Sequence, residues 1–126
     1  MAGEMILIIE DNPLNLELAQ DLLELAGYRV LSAPLAEMGI EIAMSEIPDL
    51  ILMDIRLPGM NGLEAIRLLK QDNLTKRIPI VALTANAMPG EEERALQGGS
   101  VGYITKPINT RQFASQVADY LSAGKA

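Results

Sequence analysis

The apolar run Leu50-Ile51-Leu52-Met53 ends on a carboxylate, Asp54. An ionised carboxylate buried without a partner is very costly, so Asp54 is expected at the mouth of the fold or against a positive group. Company for it stands at the ends of other apolar runs: Glu10 and Asp11 after "MILII", Thr84 within "IPIVALTA", and Lys106 with Pro107 after "VGYIT". Three carboxylates crowded at one rim repel one another, and a divalent cation relieves that repulsion. All-oxygen ligation favours a hard ion such as Mg2+, which keeps several waters and binds through one or two carboxylates plus phosphate oxygens. The chain contains neither cysteine nor histidine, which removes disulfides, thiolate nucleophiles, Cys/His zinc sites and any imidazole base. A carboxylate nucleophile remains, and aspartate attacking phosphorus forms an acyl phosphate. Magnesium would bridge the attacked phosphoryl group, Lys106 would neutralise another of its oxygens, and the Thr84 hydroxyl would donate to a third.

For these residues to meet, the ends of four runs must reach one edge. Runs at 5–9, 28–33, 49–54, 78–85 and 101–105 are short, rich in Ile, Val and Leu, and bounded by Gly, Pro, Asn or Asp. They predict five strands, several apolar on both faces, as a parallel sheet covered by helices requires. Asn12 as cap, Pro13 at the first position, and Leu14, Leu18, Leu22 and Leu25 at four- and three-residue spacing predict a first helix that Gly27 stops. Segment 35–47 reads as the second helix in spite of Gly39, because a parallel crossover needs one there. Asn61 with Glu64 opens the third, which turns Leu63, Ile66 and Leu69 inward. "PGEEERAL" opens the fourth with three glutamates in its first turn, where the helix dipole favours them, and Gly98-Gly99 stops it. The fifth runs from about Thr110 to Leu121, with Asn109 and Gln112 as a capping pair and Phe113, Val117 and Leu121 on one face. The fold class is α/β: a doubly wound (βα)5 three-layer sandwich, flavodoxin-like, with a parallel five-stranded sheet of order 2-1-3-4-5. Ligands of such a sheet bind beyond the carboxyl ends of the strands where the order reverses, between the first and third.

A length of 126 residues and 49% hydrophobic composition suit one domain spanning 1–126. The start "MAGEMILIIEDN" lacks a secretory pattern, and no run of 18 apolar residues occurs, so a cytoplasmic chain without membrane insertion is expected. A net charge of -7 without a Lys/Arg cluster argues against a nucleic-acid surface.

The segments "IIEDNPLN" (8–15), "PDLILMDIRLPGMNGLE" (48–64), "VALTANAM" (81–88) and "GGSVGYITKPIN" (98–109) together resemble the receiver domain of bacterial two-component response regulators. The resemblance covers essentially the whole chain, and "LTANAMPGEEE" with "YITKPI" is most similar to stand-alone cell-cycle receivers and to receivers fused to hybrid kinases. It implies that Asp54 is the phosphoryl acceptor and Asp11 a direct magnesium ligand, with Glu10 acting largely through water and the Arg56 backbone carbonyl completing the protein ligands. It also implies that Thr84 and Lys106 sense the phosphoryl group, that Tyr103 turns inward as Thr84 moves, and that the Lys106-Pro107 bond is cis. Gly59 and Gly62 match the turn after the phosphorylated strand, whereas "SAPLAEMG" departs from the polar, Gly-containing turn the family often has before its second helix. Arg56 and Asn86, two residues beyond Asp54 and Thr84, would flank the phosphoryl site and tune the access of hydrolytic water.

The expected function is a phosphorylation-controlled switch that signals by binding a downstream protein. The phosphohistidine donor would be a histidine kinase or histidine phosphotransfer protein, and a weak homodimer is expected through the fourth helix, fifth strand and fifth helix. No enzymatic turnover is expected beyond magnesium-dependent self-phosphorylation from a donor and slow self-dephosphorylation. Two alternatives share the fold: a receiver module of a hybrid kinase or phosphorelay, and a phosphorylation-independent adaptor. A nucleotide enzyme is disfavoured, because "EDNPLN" stands where a GxGxxG or GxxxxGK[ST] loop would follow the first strand.

Overall fold

In the computed structural model, which describes residues 3–85 and 90–124, five strands and five helices alternate along the chain. They are β1 (Met5–Ile9), α1 (Pro13–Leu25), β2 (Arg29–Ala33), α2 (Ala36–Glu46), β3 (Leu50–Asp54), α3 (Gly62–Gln71), β4 (Ile80–Thr84), α4 (Glu91–Gly98), β5 (Gly102–Thr105) and α5 (Phe113–Gly124). The strands pair in parallel in the order β2-β1-β3-β4-β5, so the sheet reverses direction between β1 and β3 as expected. Every residue of β3 and β4 is buried, which is why these strands read as unbroken apolar runs rather than alternating ones.

Alternate side chains go to opposite faces of the sheet. Leu7, Ile9, Ile51, Met53 and Ile80 meet Ala36 and Ala43 of α2 and Ile66 and Leu69 of α3 on one face. Ile6, Ile8, Leu52, Val81 and Ile104 meet Ala19 and Leu23 of α1 and Phe113, Val117 and Leu121 of α5 on the other. α4 adds a smaller contact, Ala95 against Ala82 and Ile55. Full burial of each large aliphatic contributes roughly 1.5–3 kcal/mol, and these layers hold the strand ends in place. Among the described residues, no helix is long and apolar enough to cross a membrane.

Helix starts follow the expected chemistry where a side chain caps them. Asn12 accepts from the Leu14 and Asn15 N–H groups, with Pro13 next to it, and Asn61 accepts from Glu64 N–H at 2.9 Å. The structure adds which face of α1 is packed and corrects the start of α5. In α1 the buried residues are Ala19 and Leu23, whereas Leu14 is 78% and Leu25 85% exposed. The leucine-rich helix offers more than one stripe, and the packed one contains the small Ala19 that lets α1 approach the sheet. α5 starts at Phe113 rather than Thr110, because the Asn109 carbonyl accepts from both Gln112 and Phe113 N–H and the Asn109 side chain from Arg111 N–H. The capping residues therefore build a turn ahead of the helix.

Candidate functional site

Register delivers the polar residues to one rim. Ile9 of β1 lies opposite Met53 of β3, so Glu10 and Asp54 follow at neighbouring strand ends. Asp54 itself pairs with Leu83, and Thr84 with Thr105. Ile55 N–H continues the ladder to the Leu83 carbonyl at 3.2 Å, and Lys106 N–H donates to the Thr84 carbonyl at 2.6 Å. Both bonds extend the sheet one residue past its formal ends and fix the two residues that matter, Asp54 and Lys106. The Lys106-Pro107 peptide is cis, as the resemblance implied.

The Lys106 ammonium lies 3.0 Å from Asp54 Oδ2 and 3.1 Å from Glu10 Oε1. Asp54 Oδ1 accepts from Arg56 N–H at 3.0 Å, and Glu10 Oε2 from Asn12 N–H at 3.1 Å. Glu10 and Asp54 are each 2% exposed, while Asp11 faces solvent. One carboxylate oxygen from each of Glu10, Asp11 and Asp54 lies within 4.8 Å of the others. Burial, followed by the hydrogen bond and negative charge of Asp54, pushes the Glu10 carboxyl up to about 7. Burial pulls the Lys106 ammonium down, but its contacts with Asp54 and Glu10 outweigh this and raise it.

Crowding on that scale is relieved by a proton or by more positive charge, and the donors are all oxygen. Glu10, Asp11 and Asp54 form a metal cluster that fits Mg2+, and exposed Asp11 leaves a side open for the waters that ion retains. Thr84 is 1% exposed, and its hydroxyl finds no hydrogen-bond partner among the described residues, so a buried donor is available beside the rim. Tyr103 is 39% exposed on β5, with its carbonyl accepting from the Tyr120 hydroxyl at 3.4 Å. Asn86 lies outside the described residues. A residue that sequence reasoning missed is Glu91, read there only as one of three first-turn glutamates favoured by the helix dipole; it is buried and paired with Arg56 at 3.3 Å. Only a contact across 35 positions distinguishes it from Glu92 and Glu93, and no local pattern signals that contact.

Fold and rim together define a signalling receiver. The response regulator receiver domain family matches residues 6–118, and the chain belongs to that family. It is 44% identical over 116 residues to the polar-differentiation response regulator DivK of Brucella ovis, covering 92% of this chain and 94% of that one. Among solved structures, the receiver domain of the sensor histidine kinase PA1611 from Pseudomonas aeruginosa PAO1 is similar at 36% identity and a TM-score of 0.88, covering 96% of this chain and 99% of that one. That structure holds a magnesium ion coordinated in its active site cleft. A response regulator from Chloroflexus aurantiacus, described as putative, superposes with a TM-score of 0.90 at 28% identity, covering 95% and 98%. The acidic cluster is that of a magnesium-dependent, phosphoryl-accepting response regulator, which signals through its phosphorylated state rather than by turning over a substrate.

Proposed function

We propose that Asp54 is the phosphoryl acceptor and that residues 1–126 act as one receiver domain of a phosphorylation-controlled switch. The observation that carries this reading is the Lys106 ammonium bridging Asp54 and Glu10 at the sheet's carboxyl edge, with Asp11 in reach of both carboxylates. A carboxylate oxygen of Asp54 attacks the phosphorus of a phosphohistidine; the O–P bond forms, the N–P bond breaks, and the electron pair leaves with the donor's imidazole. Magnesium, when bound, supplies positive charge that offsets the crowding of acids and phosphoryl oxygens. Asp11 and Asp54 would hold it directly, the Arg56 carbonyl would complete the protein ligands, and Glu10 would act through water. Lys106 neutralises the transferred group, and the Thr84 hydroxyl has a hydrogen bond to give it.

Once Thr84 is drawn in, Tyr103 turns toward the space it vacates, which changes the face of α4, β5 and α5. Phosphorylation adds about 1.5 to 2 negative charges and three acceptor oxygens, so it favours the packing in which Thr84 and Lys106 reach the phosphoryl group. Pro107 shapes the turn beside the lysine, and Arg56 and Asn86 tune hydrolysis. The same face supports the weak homodimer. Exposed Leu14 and Leu18 lie on α1 close to Glu10 and Asp11, a surface that suits the apolar side of a histidine kinase or phosphotransfer protein. The likeness to the polar-differentiation response regulator DivK favours a response regulator acting on a downstream protein, which we read as a cytoplasmic cell-cycle regulator. The likeness to PA1611 favours a second reading, a receiver module that passes the phosphoryl group onward.

The test is labelling of the purified chain by a small phosphodonor with magnesium. One acid-labile, hydroxylamine-sensitive phosphoryl group is expected, absent in Asp54→Asn and without magnesium. Stoichiometric labelling that survives the substitution contradicts the assignment.

A further inference from the structure

Glu91 is the first residue of α4, and Gly90 before it, at φ +85°, offers no side chain to cap the helix. Glutamates in a first turn ordinarily extend to water, as exposed Glu93 does. Glu91 is instead 7% exposed, and a buried carboxylate needs compensation. Its described partner is the Arg56 guanidinium, 3.3 Å from Oε2, while Oε1 has no hydrogen-bond partner among the described residues. Arg56 thus makes two attachments: its backbone N–H donates to Asp54 Oδ1 and its side chain reaches α4. The side chain is half exposed, so it has room to reorient.

We propose that Glu91 is a positioning residue for Asp54 phosphorylation: through Arg56 it latches the first turn of α4 to the phosphoryl site, and the phosphoryl group competes with it for the guanidinium. This rests on Asp54 being the acceptor. A forked guanidinium prefers the doubly charged, three-oxygen phosphoryl group to a carboxylate held by one contact. Once Arg56 turns to the phosphoryl group, Glu91 is a buried charge without a partner, and it regains hydration only if the first turn of α4 moves outward. The latch therefore opposes phosphorylation and is released by it.

The experiment uses the full chain carrying Glu91→Gln and Arg56→Ala, singly and together, with acetyl phosphate and magnesium. The rate of Asp54 labelling and the donor-free amide shifts of residues 90–98 are recorded. Glu91→Gln is expected to move those shifts toward their positions in the phosphorylated wild type and to speed labelling about two- to fivefold, the range that a partly exposed ion pair supports. In the Arg56→Ala background the same substitution is expected to have little further effect on either. An effect of Glu91→Gln that is equally large with and without Arg56 assigns it to the charge at the helix terminus and overturns the latch, as do amide shifts that stay in place. If wild type itself takes no label on Asp54, the acceptor assignment fails; coupling or additivity of the two substitutions in the donor-free shifts then still decides whether the pair latches α4.

Discussion

Lys106 holds Glu10 and Asp54 together with one ammonium, and burial beside Asp54 leaves the Glu10 carboxyl at about 7 against an ordinary 4.5. Between those values the folded chain keeps a proton that the unfolded chain has lost, so metal-free protein loses stability as pH rises through the interval. We expect a decrease of about 1 to 3 kcal/mol from pH 4.5 to above 7, read by urea unfolding in chelator and absent in Glu10→Gln. The raised Lys106 acts in the same sense but in a more alkaline window: its contribution is complete below the ordinary lysine value and is lost as pH rises through its raised one. An equally steep fall with pH in Glu10→Gln places the cause outside the rim. Asp11 makes a different contribution, because it is exposed and its carboxylate is free to bind an ion. Asp11→Asn is expected to weaken magnesium binding by about tenfold or more in titration calorimetry while leaving the unfolding midpoint in chelator nearly unchanged; unchanged affinity contradicts its role as a ligand.

The elements place the rim by close packing at glycine as much as by the apolar runs. At Gly62, the first residue of α3, an added Cβ would lie 2.6 Å from Ile55 Cα and fall on the Asp54 carbonyl oxygen. Backbone cannot yield as a side-chain tip does, so Gly62→Ala is expected to cost at least about 2 kcal/mol and to slow labelling of Asp54 by displacing the end of β3; a variant as stable as wild type contradicts this packing. Gly39 makes a softer contact of the same kind, against a side chain rather than backbone. An added Cβ there would run into Cδ1 and Cγ1 of Ile9, so the residue that looked like a flaw in the second helix is what lets α2 lie on β1. Leu35 gives that helix no side-chain cap, and Ile47 ends it at φ +47°, leaving tertiary packing to hold it. Strands and capped helices could be read from the sequence because their causes are local: aliphatic runs for β3 and β4, Asn12 and Asn61 for α1 and α3. The buried stripe of α1, the turn before α5 and the burial of Glu91 could not, because each depends on which partner arrives from elsewhere in the chain.

At the scale of the whole molecule, the order β2-β1-β3-β4-β5 converts residues 10, 54, 84 and 106 into neighbours. The identities of the rim residues and the topology were both readable, since a doubly wound sheet leaves one edge where strand ends converge. The protonation of the rim was not, because it depends on how deeply Glu10 is buried. Charge is unevenly spread as well: Arg29 is the only basic residue before Arg56, so the half of the chain that contains α1 and α2 repels polyanions and suits a partner bearing positive charge. The central claim is that this topology makes Asp54 the residue that carries the phosphoryl group. Borohydride reduction tests it most directly, because an aspartyl phosphate is reduced to homoserine at its own position. After reaction with a small phosphodonor and magnesium, then reduction and peptide sequencing, homoserine is predicted at position 54 alone. Homoserine at position 11, or stable label with none at position 54, would contradict the account.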